Sequence, residues 1–222
     1  MDFRGDKNEE KSSDFIWKSY TNGATNEITV WAKEHLEKLG YTSESIHLYG
    51  KKIQPCMGCG VCQKTEETLG CMQKDDVAEI ANKVLEADLI LIATPIYSSF
   101  CTAPTKALLD RLVYMMNKYL GRMPEDWHSL WESKHLAMLI SYAVKYDEIL
   151  EPLDMGMKIY CKHSKLFYDG YLAIHRKNFM LRKASGNSEE FGDKARVEDF
   201  IDHIIQSCET KKVATWSAVT GK

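Results

Sequence analysis

Four cysteines crowd into one short stretch: Cys56-x2-Cys59-x2-Cys62, then eight residues, then Cys71. Thiolates are soft ligands, so this spacing offers a [4Fe–4S] cluster or a tetrahedral zinc ion, or, without metal, free thiols that pack or act as a redox pair, since a Cys-x2-Cys unit can lower a thiol pKa. The spacing alone leaves all three open. Two other stretches carry binding chemistry. Ser19-Tyr20-Thr21-Asn22-Gly23-Ala24-Thr25 supplies hydroxyls and a glycine and leads into a helix expected near Asn26, whose free N–H groups would attract a phosphate. The plainer reading is a capping loop with Thr25 as the N-cap. Thr94-Pro95-Ile96-Tyr97-Ser98-Ser99-Phe100-Cys101-Thr102 sets an aromatic ring, hydroxyls and amides at the end of an apolar run. That set suits a flat, partly polar ring, or else a rigid strand-to-helix connection with Tyr97 in the core.

These residues need elements to position them. Leu89–Ala93 and His135–Ile140 are unbroken apolar runs, the pattern of strands covered on both faces by helices. Ser45–Tyr49 alternates like a strand nearer an edge, and Tyr171–His175 reads as a last strand. Between them, apolar residues recur at helical spacing: Ile28–Leu39, closed by Gly40; Val77–Leu85, opened by Asp75 or Asp76; Leu108–Tyr119 behind Pro104; a weaker stripe over Ile149–Cys161; and Val197–Cys208. The alternation predicts right-handed crossovers and an α/β doubly wound parallel sheet. Ligands of such sheets bind beyond the carboxyl ends of the strands where the strand order reverses, which selects the loops after the first and third strands.

A chain of 222 residues with hydrophobic content of 44% and charged content of 27% can bury a full core, excluding disordered and fibrous classes. The sequence divides into a polar tail over 1–13, one domain over 14–208 and a second polar tail over 209–222. A net charge of −3 argues against nucleic acid or anionic lipid as partner. No run approaches the ~18 apolar residues of a membrane span, and the first residues are charged where a signal peptide is apolar. Scattered Cys101, Cys161 and Cys208 make the total seven, odd for a disulfide framework, so reduced thiols in a cytoplasmic protein are expected. The basic residues His175-Arg176-Lys177, Arg182 and Lys183 read as a solvated face or as a contact for a ligand phosphate, and Trp127 and Trp131 as core or surface packing or as a cover for a bound ring or a dimer surface.

Several signatures in order carry a resemblance: Pro55-Cys56-Met-Gly-Cys59-Gly-Val-Cys62, Gly70-Cys71-Met-Gln-Lys-Asp75-Asp76-Val, Ala87-Asp88, Thr94-Pro-Ile-Tyr97, Lys106 and Asp110-Arg111. Together they resemble the flavodoxin-like NAD(P)H-dependent FMN reductases, and among these the iron-sulfur flavoproteins. The likeness is dense over residues 53–115 and looser over 19–208. It implies a flavodoxin-like five-stranded sheet of order 2-1-3-4-5 with helices on both faces. It also implies noncovalent FMN, its phosphate wrapped by Ser19, Thr21, Asn22, Gly23, Ala24 and Thr25, its ring along Pro95, Ile96, Tyr97, Ser98, Ser99, Phe100 and Thr102. NAD(P)H would be the cosubstrate, the acceptor a small molecule or a protein, and the assembly a homodimer or homotetramer. Cys56, Cys59, Cys62 and Cys71 would be the ligands of a [4Fe–4S] cluster, although some members keep similar cysteines without one and the final gap of eight is long for the family. The first loop departs from the family's Gly-Ser-Pro-Arg and Gly-Asn-Thr pattern, with the arginine absent. Two further readings stand beside the reductase: an FMN electron-transfer protein that does not turn over NAD(P)H, and a flavodoxin-like domain without cofactor. No Ser/His/Asp set, Walker loop or paired carboxylates occur, so no side chain is assigned as a proton-transfer catalyst.

Overall fold

The computed structural model describes residues 13–18, 22–123, 126–187 and 190–220. The expected tail over 1–13 therefore lies outside the described residues except for Ser13, as do Ser19 and Thr21 of the first loop.

Five parallel strands form the main sheet: β1 (Ser13–Lys18), β2 (Thr42–His47), β3 (Leu89–Pro95), β6 (His135–Tyr142) and β7 (Phe167–His175), in the spatial order β2-β1-β3-β6-β7. Counted within this sheet alone, that is the expected 2-1-3-4-5 order. The intervening labels β4 (Asn117–Lys118) and β5 (His128–Ser129) belong to a two-residue antiparallel ribbon. The strand order reverses between β1 and β3, where the chain leaves β1 toward β2 on one side and returns to β3 on the other.

Helices cover both faces. On one lie α2 (Val77–Glu86), α3 (Ala103–Met116) and α4 (Glu151–Ser164); on the other lie α1 (Ala24–Lys38) and α6 (Asp193–Thr220). The strand side chains alternate between them. Trp17, Ile90, Ile92, Leu136, Met138 and Ile140 join the core under α2, α3 and α4, while Ile16, Leu89, Leu91, Ala93, Ala137 and Leu139 join the core under α1 and α6. This double burial is why β3 and β6 read as uninterrupted apolar runs. Each fully buried Leu or Ile there contributes roughly 1.5–3 kcal/mol of transfer free energy. Gly40, at φ +85°, ends α1 as expected, the Tyr41 amide donating back to the Leu36 carbonyl.

Some boundaries differ from the sequence reading. β2 begins at Thr42 and gives way to a single helical turn over Leu48–Gly50, so the expected strand Ser45–Tyr49 is shifted. β7 starts four residues before Tyr171. An extra helix, α5 (Arg176–Ser185), follows β7 directly where the basic run had suggested a charged face or a phosphate contact and no helix. The domain edge expected at 208 falls inside α6, which continues to Thr220, and Lys211 on it pairs with buried Asp169 at 2.9 Å. Trp131 is fully buried, its Nε1–H donating to Asn117. No helix among the described residues is long and apolar enough to cross a membrane.

Candidate functional site

Two cavities hold the residues singled out by chemistry. The first, about 280 Å³, opens at the carboxyl ends of the strands and is lined by Asn22, Gly23, Ala24 and Thr25, by Pro95, Ile96 and Tyr97, by Ser141, Tyr142 and Ala143, and by Arg176 and Phe179. The first loop and the β3 loop thus share one crevice at the point of strand reversal.

The start of α1 explains what this crevice can bind. Gly23 occupies the N-cap position with φ +92° and ψ −171°, a region open almost only to glycine. Having no side chain, it leaves the first-turn amides without a side-chain acceptor. Thr25 is not the expected cap. Its hydroxyl pairs with Ser141 Oγ at 2.7 Å, tying the start of α1 to the end of β6. An uncapped helix N-terminus facing a cavity combines free donors with the positive end of the helix dipole.

The β3 loop contributes less than its sequence suggested. Tyr97 and Phe100 exchange backbone hydrogen bonds at 2.9 and 3.0 Å, so the chain reverses over Ser98 and Ser99, which take φ of 49° and 63°. Pro95, Ile96 and half-exposed Tyr97 line the crevice, but Ser98, Ser99, Phe100 and Thr102 do not. The reversal turns Phe100 down onto Gly156 of α4, and Thr102 becomes the buried N-cap position of α3. The Ile96 amide is also engaged, donating to the Ser141 carbonyl at 2.9 Å. The third wall was missed by sequence reasoning, because nothing in Ser141-Tyr142-Ala143 marks it except its place after a buried strand. Burial, then hydrogen bonding to the Asp147 carboxylate, pushes the Tyr142 phenol up to about 12, so it remains a neutral donor.

The second cavity, about 310 Å³, is lined by Cys56, Cys59, Cys62 and Cys71 together with Arg111, Tyr114, Met115, Tyr119 and Leu120. The cysteine loop is fastened at both ends. Asp76 takes the N-cap position of α2 as expected and Asp75 accepts from the Val77 amide at 3.3 Å; their carboxylates also accept from the Lys52 and Gln54 amides, and Asp75 takes both Nη groups of Arg111 at 2.8 and 3.1 Å. Burial alone would raise Asp75, but Arg111 and the Gln54 amide outweigh it and hold the carboxyl below the usual range. Lys118, almost wholly buried, spends its three donors on the carbonyls of Cys62, Thr68 and Met115 at 2.7–2.8 Å. Gln63 crosses from the same loop to the Tyr114 and Asn117 carbonyls. Gly70 has φ +64°, and a Cβ there would sit 2.4 Å from Thr65 Oγ1 and 3.1 Å from Cys62 Cα, so only glycine lets Cys71 come up beside Cys62.

Arg111 also donates to Cys71 Sγ at 3.2 Å, and its buried Nε has no acceptor among the described residues. Four thiols thus face one cavity beside two buried cations, which suits an anionic cluster. No three His, Cys, Asp or Glu side chains among the described residues converge as the ligands of a metal ion, so the four thiols face one cavity without forming a ready ligand set for either a cluster or zinc. Burial pushes Cys101 and Cys161 up to about 12 and raises the Cys62 thiol of the cavity as well, so none of these three is a ready nucleophile.

Comparison with known proteins agrees with this fold. The NADPH-dependent FMN reductase family matches over residues 19–154. The chain belongs to that family. An iron-sulfur flavoprotein of Archaeoglobus fulgidus is 38% identical over 82 residues, covering 37% of this chain and 36% of that protein. A second from the same organism is 42% identical over 78 residues, 35% of this chain and 37% of the relative. The matched segments span little more than a third of those relatives. Among solved structures, RosB with a bound 8-demethyl-8-formylriboflavin-5′-phosphate intermediate aligns at a TM-score of 0.65 and 13% identity over 95% of this chain and 88% of its own, a likeness of fold.

Proposed function

We propose that this FMN reductase family member binds FMN in the crevice between α1 and the β3 loop and works as a flavin oxidoreductase, taking electrons from NADH or NADPH and passing them to a small or protein acceptor. The observation that carries the reading is the uncapped start of α1 opening onto the cavity that Pro95–Tyr97 also line. FMN supplies the redox chemistry, a ring that takes a hydride and gives its electrons on.

The protein's part is to bind and orient. The amides of the first turn of α1 receive the phosphate, Gly23 lets the backbone come close, and the Thr25–Ser141 hydroxyl pair fixes the strand ends around it. Tyr97 and Pro95 give the ring a flat, partly apolar bed. With the Ile96 and Tyr97 amides already engaged, the Ser98 and Ser99 amides are the ones at this corner without a backbone acceptor among the described residues. Cys56, Cys59, Cys62 and Cys71 would hold a [4Fe–4S] cluster, with Arg111 and Lys118 offsetting its negative charge. A second copy of the chain would complete the open side of the crevice.

A visible spectrum of protein purified without air tests the reading. Flavin bands that bleach within seconds of adding NADH or NADPH support it; a colourless protein that refuses added FMN overturns it. The exposed Met57, Met72 and Leu120 around the cysteines favour a second reading, an electron carrier that docks a protein partner. Slow bleaching by nicotinamide with rapid reduction by a reduced carrier protein would select that reading. Iron absent after anaerobic preparation would remove the cluster from either.

A valine at Gly23 adds a β-branched side chain in a glycine-only conformation, at a cost of about 1–3 kcal/mol, and crowds the phosphate approach. Gly23→Val is expected to lose FMN on dialysis while wild type retains it; equal retention would remove this loop from the phosphate site.

A further inference from the structure

The phosphate end of the crevice has donors but no cation of its own. Ser19 through Thr25 contain no lysine or arginine, and Lys18, just before them, lies outside the cavity lining, its Nζ donating to the neutral Asn26 Oδ1 at 2.8 Å. A phosphate monoester carries nearly two negative charges, and amides with a helix dipole neutralise only part of that.

Arg176 lines the same cavity. The other arginines among the described residues are committed: Arg111 to Asp75, Arg122 to Glu66, and Arg182 and Arg196 to Asp193. Arg176 alone has no acid partner or hydrogen bond among the described residues.

Its position is nevertheless fixed. His175 Nδ1 accepts from the Lys177 amide at 3.0 Å, so the ring proton sits on Nε2, which donates to the Val144 carbonyl at 2.9 Å. This clamps the first residue of α5 beside the Ser141–Ala143 wall. Further along, Arg182 bonds Glu27 in the first turn of α1 and Asp193 at the start of α6, with its guanidinium 5.0 Å from the centre of the Trp31 ring. Arg176, Phe179 and Arg182 recur every three residues along one side of α5, and that side faces the crevice and α1.

We propose that Arg176 is the phosphate-binding cation of the FMN site, carried to it by α5 from far along the chain. The inference rests on the FMN reading above. A guanidinium presents paired N–H donors that match phosphate oxygens and stays charged at every working pH. The unpaired arginine and the uncapped helix start then contribute charge and donors to the same group, both from the lining of one cavity.

The test compares FMN with riboflavin, which lacks the phosphate, by fluorescence titration of wild type, Arg176→Gln and Arg176→Lys. Arg176→Gln is expected to weaken FMN roughly 10- to 100-fold, the range for a charge-assisted hydrogen bond, and to leave riboflavin unchanged. Arg176→Lys should recover part of the loss, and the salt sensitivity of FMN binding should diminish in Arg176→Gln. Unchanged FMN affinity overturns the assignment, including the case where only the KM for NADPH rises. Equal weakening of FMN and riboflavin also overturns it, making Arg176 a wall residue. Wild type that binds neither flavin defeats the FMN reading itself, and this assignment with it.

Discussion

Replacing Asp75 by asparagine is expected to destabilise the protein by about 3–5 kcal/mol, the cost of leaving one member of a buried ion pair uncompensated. Asp75 and Arg111 are 1% and 2% exposed, so water cannot take the place of the lost charge. For a domain of this size each kcal/mol lowers Tm by roughly 2–4 °C, so a fall of about 6–20 °C should appear in a thermal melt. The pH dependence has a definite sign. The folded-state pKa of Asp75 lies below that of the unfolded chain, so its stabilisation is present above about pH 4 and is lost as pH falls through the folded value. Asp75→Asn should therefore flatten the acid limb of the stability curve. The damage should extend to the cysteine cavity, because Arg111 is oriented by Asp75 and donates to Cys71. Adding Arg111→Met should restore part of the stability without restoring the cavity. A single variant melting within 2 °C of wild type would remove the pair from the scaffold of that site.

The second large effect is expected at Arg182. Its side chain is 2% exposed and bridges Glu27 on α1 to Asp193 on α6. Arg182→Met leaves Asp193 with Arg196 and Asn178, which places the loss near the lower end for buried pairs, about 3 kcal/mol. Because α5 brings both Arg176 and Phe179 to the crevice, its release should weaken FMN and riboflavin together, unlike Arg176→Gln. Urea melts measure the stability and flavin titrations the binding. Flavin affinities that stay at wild-type values despite the lost stability would show that the crevice does not depend on α5.

The contrast between α5 and β3 shows which parts could be read in advance. Leu89–Ala93 is buried on both faces, so nearly every residue carries the signal of its environment. α5 has no comparable apolar stripe; one buried arginine, an acid 11 residues on and another 155 residues back hold it, a pattern that looks like surface charge until the chain is folded. The crevice was legible on the sides made by Gly23 and by Pro95–Tyr97, where glycine, proline and an aromatic follow strands directly. Thr25 was misread as a cap because its partner, Ser141, lies 116 residues away. That Phe100 turns onto Gly156 and away from the crevice lining was not legible, because the reversal at Ser98-Ser99 lacks the glycine or asparagine that announces such turns. The cysteine loop was visible as four thiols, but Lys118 and Gln63, which fasten it, carry no local mark.

That reversal has a consequence of its own. Two adjacent serines in left-handed conformations store roughly 2 kcal/mol in a corner that glycine would occupy at little cost. Flanking residues hold the corner closed: Tyr97 and Phe100 bond across it, and Thr94 Oγ1 accepts from the Thr102 amide beneath it. The rim of the crevice therefore has a pre-tensioned tip on a stiff base. When a planar guest settles against Tyr97, the accommodation will concentrate at those two peptide groups, whose amide protons should exchange with solvent well before that of Thr102.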